Sequence, residues 1–129
     1  MIYVLDTHPL IWFVARDARL SSAAAMVMNA SASRFVIPTM TLVEIRHLRA
    51  KSRITVDLAD VYRDFINVTN CLVYPLDEQV ISMIPTGPDI HDSIIVATAI
   101  FYRDILRQPA TLITKDRAIT QSGLVQTLW

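Results

Sequence analysis

The sequence predicts a single α/β domain on a mainly parallel sheet of four to five strands, and three observations lead there. Short β-rich runs alternate with helical stretches along the whole chain, with no repeat, linker or low-complexity tract between them. A length of 129 residues suits one domain, residues 1–129. A hydrophobic share of 53% fills a core and excludes a disordered chain.

Residues 2–5 (IYVL) read as a buried strand, and Pro9 suits the first turn of the helix after it. Residues 20–32 (LSSAAAMVMNASA) read as a second helix. RFVI at 34–37 reads as strand two, ended by Pro38. Leu42, Ile45 and Leu48 then recur every third residue, which places them on one face of a helix that also carries Glu44. A helix from Asp57 to about Val68, a strand over 71–76 (CLVYPL) and a short helix near 78–84 follow. PTGPD at 85–89 breaks the chain before its most apolar helix, 92 to about 106, with Asp92 at its start. TLIT at 111–114 is the next strand and leads to Asp116, and 125–128 is expected as a last edge strand. Strands separated by helices make the sheet parallel.

Composition excludes several function classes. Only two glycines are present, Gly87 and Gly123, so neither a Walker A loop nor a GxGxxG dinucleotide turn can form. The lone Cys71 excludes an internal disulfide or a CxxC knuckle, and His8, His47 and His91 are too scattered for HExxH. This cysteine usage fits the cytoplasm. The start MIYVLDTHPL has no basic region, so no secretion signal is read there. The apolar run Ile94–Tyr102 is about half of the ~20 residues a membrane span needs, and no membrane association is expected. Twelve Lys and Arg balance twelve Asp and Glu, so nucleic acid would be attracted only locally, for example by Arg46, Arg49, Lys51 and Arg53. These four are candidate nucleic-acid contacts, or an ordinary solvated helix end.

In parallel α/β sheets the ligand crevice lies beyond the carboxyl ends of the strands. Asp6 follows the first strand directly, Asp116 stands just beyond TLIT, and Asp92 opens the apolar helix. Glu44 sits between Val43 and Ile45 in a largely apolar segment, which is an unusual place for a purely solvated acid. Two such charges about 5 Å apart repel by roughly 3 kcal/mol at an effective dielectric near 20. The cluster therefore needs protonation or a cation, and an oxygen-only ligand set favours Mg²⁺ or Mn²⁺ over zinc.

Each acid also has a plain structural role open to it. Asp6, Asp92 and Asp116 are all placed to cap the helix that follows. Asp89, after Pro88, reads as a turn residue and as a supporting candidate for the site. Thr7, Thr41 and Thr114 each lie near a proposed carboxylate, where a hydroxyl can hold a carboxylate oxygen or make a cap bond. His8 and His91 are open to proton transfer or to a turn role. Cys71 reads as a small buried hydrophobe, and Trp12 and Phe13 suit core packing better than base stacking.

LDTHPLIWF, TLVEI, DIHDSIIVATA and LITKDRAI occur in an order and spacing that resembles PIN-domain ribonucleases, specifically VapC-type toxins. The similarity runs from Ile2 to about Ile119. It implies a three-layer α/β/α sandwich in which Asp6, Glu44, Asp92 and Asp116 are the catalytic and metal-holding acids. Two positions depart from the family pattern: Ser93 stands where Arg is frequent, and Ser52 where Gly is frequent. Neither removes a carboxylate.

The resemblance implies Mg²⁺- or Mn²⁺-assisted hydrolysis of RNA phosphodiesters in the toxin of a type II toxin–antitoxin system. Asp6 and Asp92 would be direct ligands, Glu44 and Asp116 ligands through water or general-base helpers, and Thr114 would orient the last carboxylate. A small cognate antitoxin is the implied partner, its tail in an apolar groove bordered by Trp12 and Val14 and an Arg against the acids. The apolar excess suggests a homodimer, and larger toxin–antitoxin assemblies follow from the resemblance. A receiver domain needs paired acids after strand one, and a haloacid-dehalogenase-type phosphatase needs an acid where His8 stands. The strongest non-enzyme alternative is a PIN-like module whose acidic pocket only binds a partner.

Overall fold

The computed structural model describes residues 1–129. Five strands, β1 (Ile2–Leu5), β2 (Arg34–Pro38), β3 (Asn70–Tyr74), β4 (Ala110–Ile113) and β5 (Gln126–Leu128), form one sheet in the order β3-β2-β1-β4-β5. All four pairings are parallel. Alternate side chains leave opposite faces of a strand, so a sheet covered on both sides needs two apolar sets. Ile2, Val4, Val36, Ala110 and Leu112 enter one core, and Leu5, Phe35, Ile37 and Ile113 enter the other.

Helices α1 (Thr7–Ala15), α2 (Ser22–Asn29), α3 (Thr39–Ala50) and α4 (Leu58–Val61) cover the second face, and α4 continues as a π-helical turn over Tyr62–Ile66. Helices α5 (Glu78–Ser82), α6 (Ile90–Asp104) and α7 (Arg117–Ser122) cover the first. The result is the expected three-layer α/β/α sandwich. In α6 every residue from Ser93 to Tyr102 is buried. Burying a side chain such as Phe101 or Ile95 stabilises the fold by ~1.5–3 kcal/mol each. No helix is long and apolar enough to cross a membrane.

The helix expected from Asp57 to Val68 is cut short as an α-helix. Asp57 and Asp60 form a reciprocal capping box, but beyond Val61 the turn widens and carries the buried Phe65 edge-on against Phe13 and Phe35. Strand β3 ends at Tyr74 rather than at 76, because Pro75 has no N–H for a ladder bond. Pro38 is the last residue of β2, not the residue that ends it from outside. Ser52, at the frequent glycine position, adopts φ +56°, the left-handed conformation that glycine tolerates most readily.

From β1 the chain builds outward to β2 and β3, then crosses back to lay β4 and β5 on the other side of β1. The reversal point lies between the carboxyl ends of β1 and β4, where such sheets open a crevice.

Candidate active site

Asp6 stands at that reversal point. Its N–H continues the ladder to the Ile113 carbonyl at 3.1 Å, and its side chain caps α1 by accepting from the Thr7 N–H at 2.7 Å. The second carboxylate oxygen accepts from the Thr114 hydroxyl at 2.6 Å. Asp6 is 8% exposed, and burial raises its pKa. The Thr114 and Thr7 hydrogen bonds oppose that rise, and the Glu44 charge adds to it. Capping and site placement coincide in this one residue.

Glu44 reaches the same place from α3. The buried Thr7 hydroxyl donates to Glu44 Oε1 at 2.7 Å, and His91 Nδ1 lies 4.0 Å from Oε2. Of the roles open to Thr41, the hydroxyl takes neither the carboxylate nor the cap. Its hydroxyl donates to the Leu5 carbonyl at 2.8 Å and so anchors α3 to the end of β1.

Helix α6 begins earlier than the sequence suggested, and the roles of its first two acids change with it. Asp89, expected in a turn, is the N-cap and accepts from the Asp92 N–H at 3.0 Å. Asp92 therefore lies within the first turn and does not cap, which leaves its carboxylate free. Burial, then the charges of Asp89, Asp116, Asp6 and Glu44, push the Asp92 pKa up to about 7. Ser93 donates through its hydroxyl to the Pro88 carbonyl at 3.0 Å, tying the Pro/Gly break to the helix start.

Asp116 caps α7 by accepting from the Ile119 N–H at 3.0 Å. Thr114 is fully buried and links two acids: it donates to Asp6, and its oxygen accepts the Asp116 N–H at 3.0 Å. The carboxylate that Thr114 orients is thus Asp6, not Asp116 as the sequence suggested.

Asp6, Glu44, Asp89, Asp92 and Asp116 line one cleft of about 550 Å³, together with Thr7, His8 and Trp12. Lys115 and Arg117 also line it, and neither forms an ion pair. No three acids are drawn together tightly enough to chelate a bare ion as they stand. Arg46, Arg49 and Lys51 do not line this cleft, and Arg53 borders a neighbouring one with His8 and Trp12. The basic residues at the acids are Lys115 and Arg117, neither of them among the site residues expected from the sequence, although Lys115 adjoins Asp116. Cys71 is half-buried, and desolvation pushes its thiol up to about 12, which leaves it unreactive.

A model of the PIN domain matches residues 3–122, the span that carries all four acids. The chain belongs to the PIN domain family. This PIN domain resembles VapBC2 from Rickettsia felis, solved bound to a promoter DNA fragment, with a TM-score of 0.68 and 14% identity. The match covers 99% of this chain and 98% of the other. DNA-bound VapBC from Salmonella typhimurium follows at a TM-score of 0.64 and 16% identity, covering 99% and 97%. VapBC-1 from nontypeable Haemophilus influenzae gives 0.56 and 19%, with the same coverage of 99% and 97%. At such identities the likeness is one of fold. No curated protein matches the sequence.

Proposed function

We propose that this PIN domain is a metal-dependent endoribonuclease, the VapC-type toxin of a type II toxin–antitoxin system. The observation that carries this reading is the convergence of Asp6, Glu44, Asp92 and Asp116 on one cleft at the sheet's reversal point. RNA as substrate, and a small antitoxin as partner, follow from the VapC resemblance of the sequence motifs. The structural neighbours are themselves VapBC assemblies.

The donor set fits Mg²⁺ or Mn²⁺. It is all oxygen, and Asp92 at a pKa of about 7 is a carboxylate that a cation would return to its charged form. Asp6 and Asp92 would hold the ion directly, with Glu44 and Asp116 reaching it through water, the sparse protein coordination Mg²⁺ favours. When bound, the ion supplies positive charge at the phosphate and acidifies a water. Thr114 and the Thr7 N–H fix both oxygens of Asp6, so its remaining lone pairs point in one orientation. The Thr7 hydroxyl holds one oxygen of Glu44, which with Asp116 serves to accept a proton from water. Asp89 supports the set by capping α6 and leaving Asp92 free.

The test is cleavage of RNA in Mg²⁺ and in excess chelator, by the parent chain and by Asp6→Asn. Cleavage that survives chelation refutes the metal mechanism. Complete absence of cleavage in Mg²⁺ favours a non-catalytic binding module.

For the antitoxin, a cleft of about 740 Å³ bordered by α1 and α2 offers the half-buried Phe13, Val14 and Leu20, over a floor of buried Trp12 and Met28, to an apolar tail. It is larger than the acidic cleft but holds no convergent acids, so it suits docking rather than catalysis. Inhibition of cleavage by the product of the adjacent reading frame tests this role. A homodimer in the cytoplasm, with larger toxin–antitoxin assemblies, completes the proposal, and light scattering on the isolated chain tests the dimer against a 14.6 kDa monomer.

A further inference from the structure

Trp12 and Trp129 are the only tryptophans of the chain, and they meet at the carboxyl edge of the sheet. The parallel register of β4 and β5 pairs Ile113 with Leu128, and the Thr114 N–H donates to the Leu128 carbonyl at 3.3 Å. Trp129 therefore leaves β5 beside the point where Thr114 and Lys115 leave β4. The two indoles lie 5.7 Å apart at 59°. Trp12 is 7% exposed and lines the acidic cleft, whereas Trp129 is 36% exposed.

Lys115 joins this pair. Its Nζ lies 5.4 Å from the centre of the Trp12 ring and forms no ion pair, although five acids stand around the same cleft. An ammonium held by an aromatic ring keeps its charge available to an incoming anion. An ammonium bound to a carboxylate does not. Arg19 also packs on Trp12, at 5.1 Å, but it is committed to Asp17 at 2.7 Å. Of the two cations packed on Trp12, Lys115 is thus the free one. An exposed indole on a rigid aromatic support, with a free cation next to it, matches a base and its phosphate.

We infer that Trp129 and Lys115 form a nucleotide subsite beside the acidic cleft. Trp129 stacks an unpaired base, Lys115 contacts the phosphate, and Trp12 is the positioning residue that supports both. The subsite rests on the nuclease reading above and extends it by naming the side chains that seat the strand.

The test uses Asp92→Asn in Mg²⁺, which slows turnover, and follows tryptophan fluorescence on adding a short mixed-sequence single-stranded RNA. Adding Trp129→Ala weakens binding about 10-fold or more, the scale of one lost base–aromatic stack. Trp129→Phe keeps a stacking ring, so affinity stays within about threefold while most of the quench disappears, since only buried Trp12 still emits. Lys115→Ala weakens binding and flattens its salt dependence by about 0.7 in the log–log slope, the loss of one phosphate contact on a single strand. Lys115→Arg restores both. A quench that survives in Trp129→Phe, equal affinity in Trp129→Ala, or no binding at all overturns the subsite.

Cleavage by chains that keep Asp92 separates the two readings. In the parent background, Trp129→Ala raises KM and leaves kcat nearly intact. Unchanged KM in both alanine variants removes the subsite and leaves the nuclease standing. Binding that depends on Trp129 and Lys115, with no cleavage by the parent in Mg²⁺, removes the nuclease and leaves the subsite.

Discussion

Asp92→Asn should make the metal-free protein more stable, not less, by a margin that opens above about pH 4 and is complete near pH 7. In the folded chain Asp92 keeps its proton until about pH 7, against 3.8 for an ordinary aspartate. Between those values unfolding releases a proton, so a rise in pH favours the unfolded state. The sign follows directly. The stabilising difference is fully present below pH 3.8, falls as pH rises, and is gone above about pH 7. Taken whole, the rise corresponds to about 4 kcal/mol. Asp92 is partly exposed, and solvent screening reduces this to about 1–2 kcal/mol. For a chain of this size that is ~4–8 °C in melting temperature. Asparagine carries no charge, so in chelator at pH 8 the variant should melt ~4–8 °C above the parent, and at pH 4 the two should coincide. Millimolar Mg²⁺ should close the gap by stabilising the parent, about 1.4 kcal/mol at ten times its dissociation constant. Circular-dichroism melts over pH 4–8, with and without Mg²⁺, read all of this. A variant that melts below the parent at pH 8 in chelator, or a gap independent of pH, refutes the burial and like-charge penalty on which the cation argument rests.

Thr114→Val removes the donor to Asp6 and the acceptor of the Asp116 N–H, so a urea titration should show a loss of ~1–3 kcal/mol. RNA cleavage should fall about 10- to 100-fold, and Thr114→Ser should recover most of it. Asp89→Ala deletes the cap of α6 and should cost about 1 kcal/mol, with Asp89→Asn close to the parent in the same titration. Ser52→Gly relieves a side chain held at φ +56° and should raise stability by ~0.5–1 kcal/mol, seen as a higher urea midpoint at unchanged slope.

Much of this was legible in the sequence because period and position carry it. Ile2 and Val4 alternate with Leu5 across a sheet buried on both faces, and apolar IYVL, RFVI and TLIT announce such strands before any contact is known. Asp6 follows its strand by one residue, so its place at the crevice was readable too. What escaped depends on choices between distant partners. The hydroxyl of Thr114 could serve Asp116 two positions away or Asp6 at a separation of 108, and only packing of β4 against β1 decides for Asp6. The cap of α6 falls on Asp89 rather than Asp92 because the helix starts inside what reads as a Pro/Gly turn. The contact of Trp129 with Trp12 was invisible, since an aromatic just after an edge strand shows no period that would point to Trp12.

The bond between Thr114 and Asp6 also sets when the site can exist. A nascent chain carries Asp6 more than 100 residues before Thr114, and β1 lacks its neighbour β4 until residues 110–113 have been made. Long-range pairing of this kind forms late in folding. Up to that moment Asp6 lacks its hydroxyl partner, Asp116 is still unsynthesised, and Asp92 faces fewer like charges. For the proposed toxin, a translation product stalled before residue 110 would lack the assembled site, and any hazard to RNA would begin only once β4 had paired with β1.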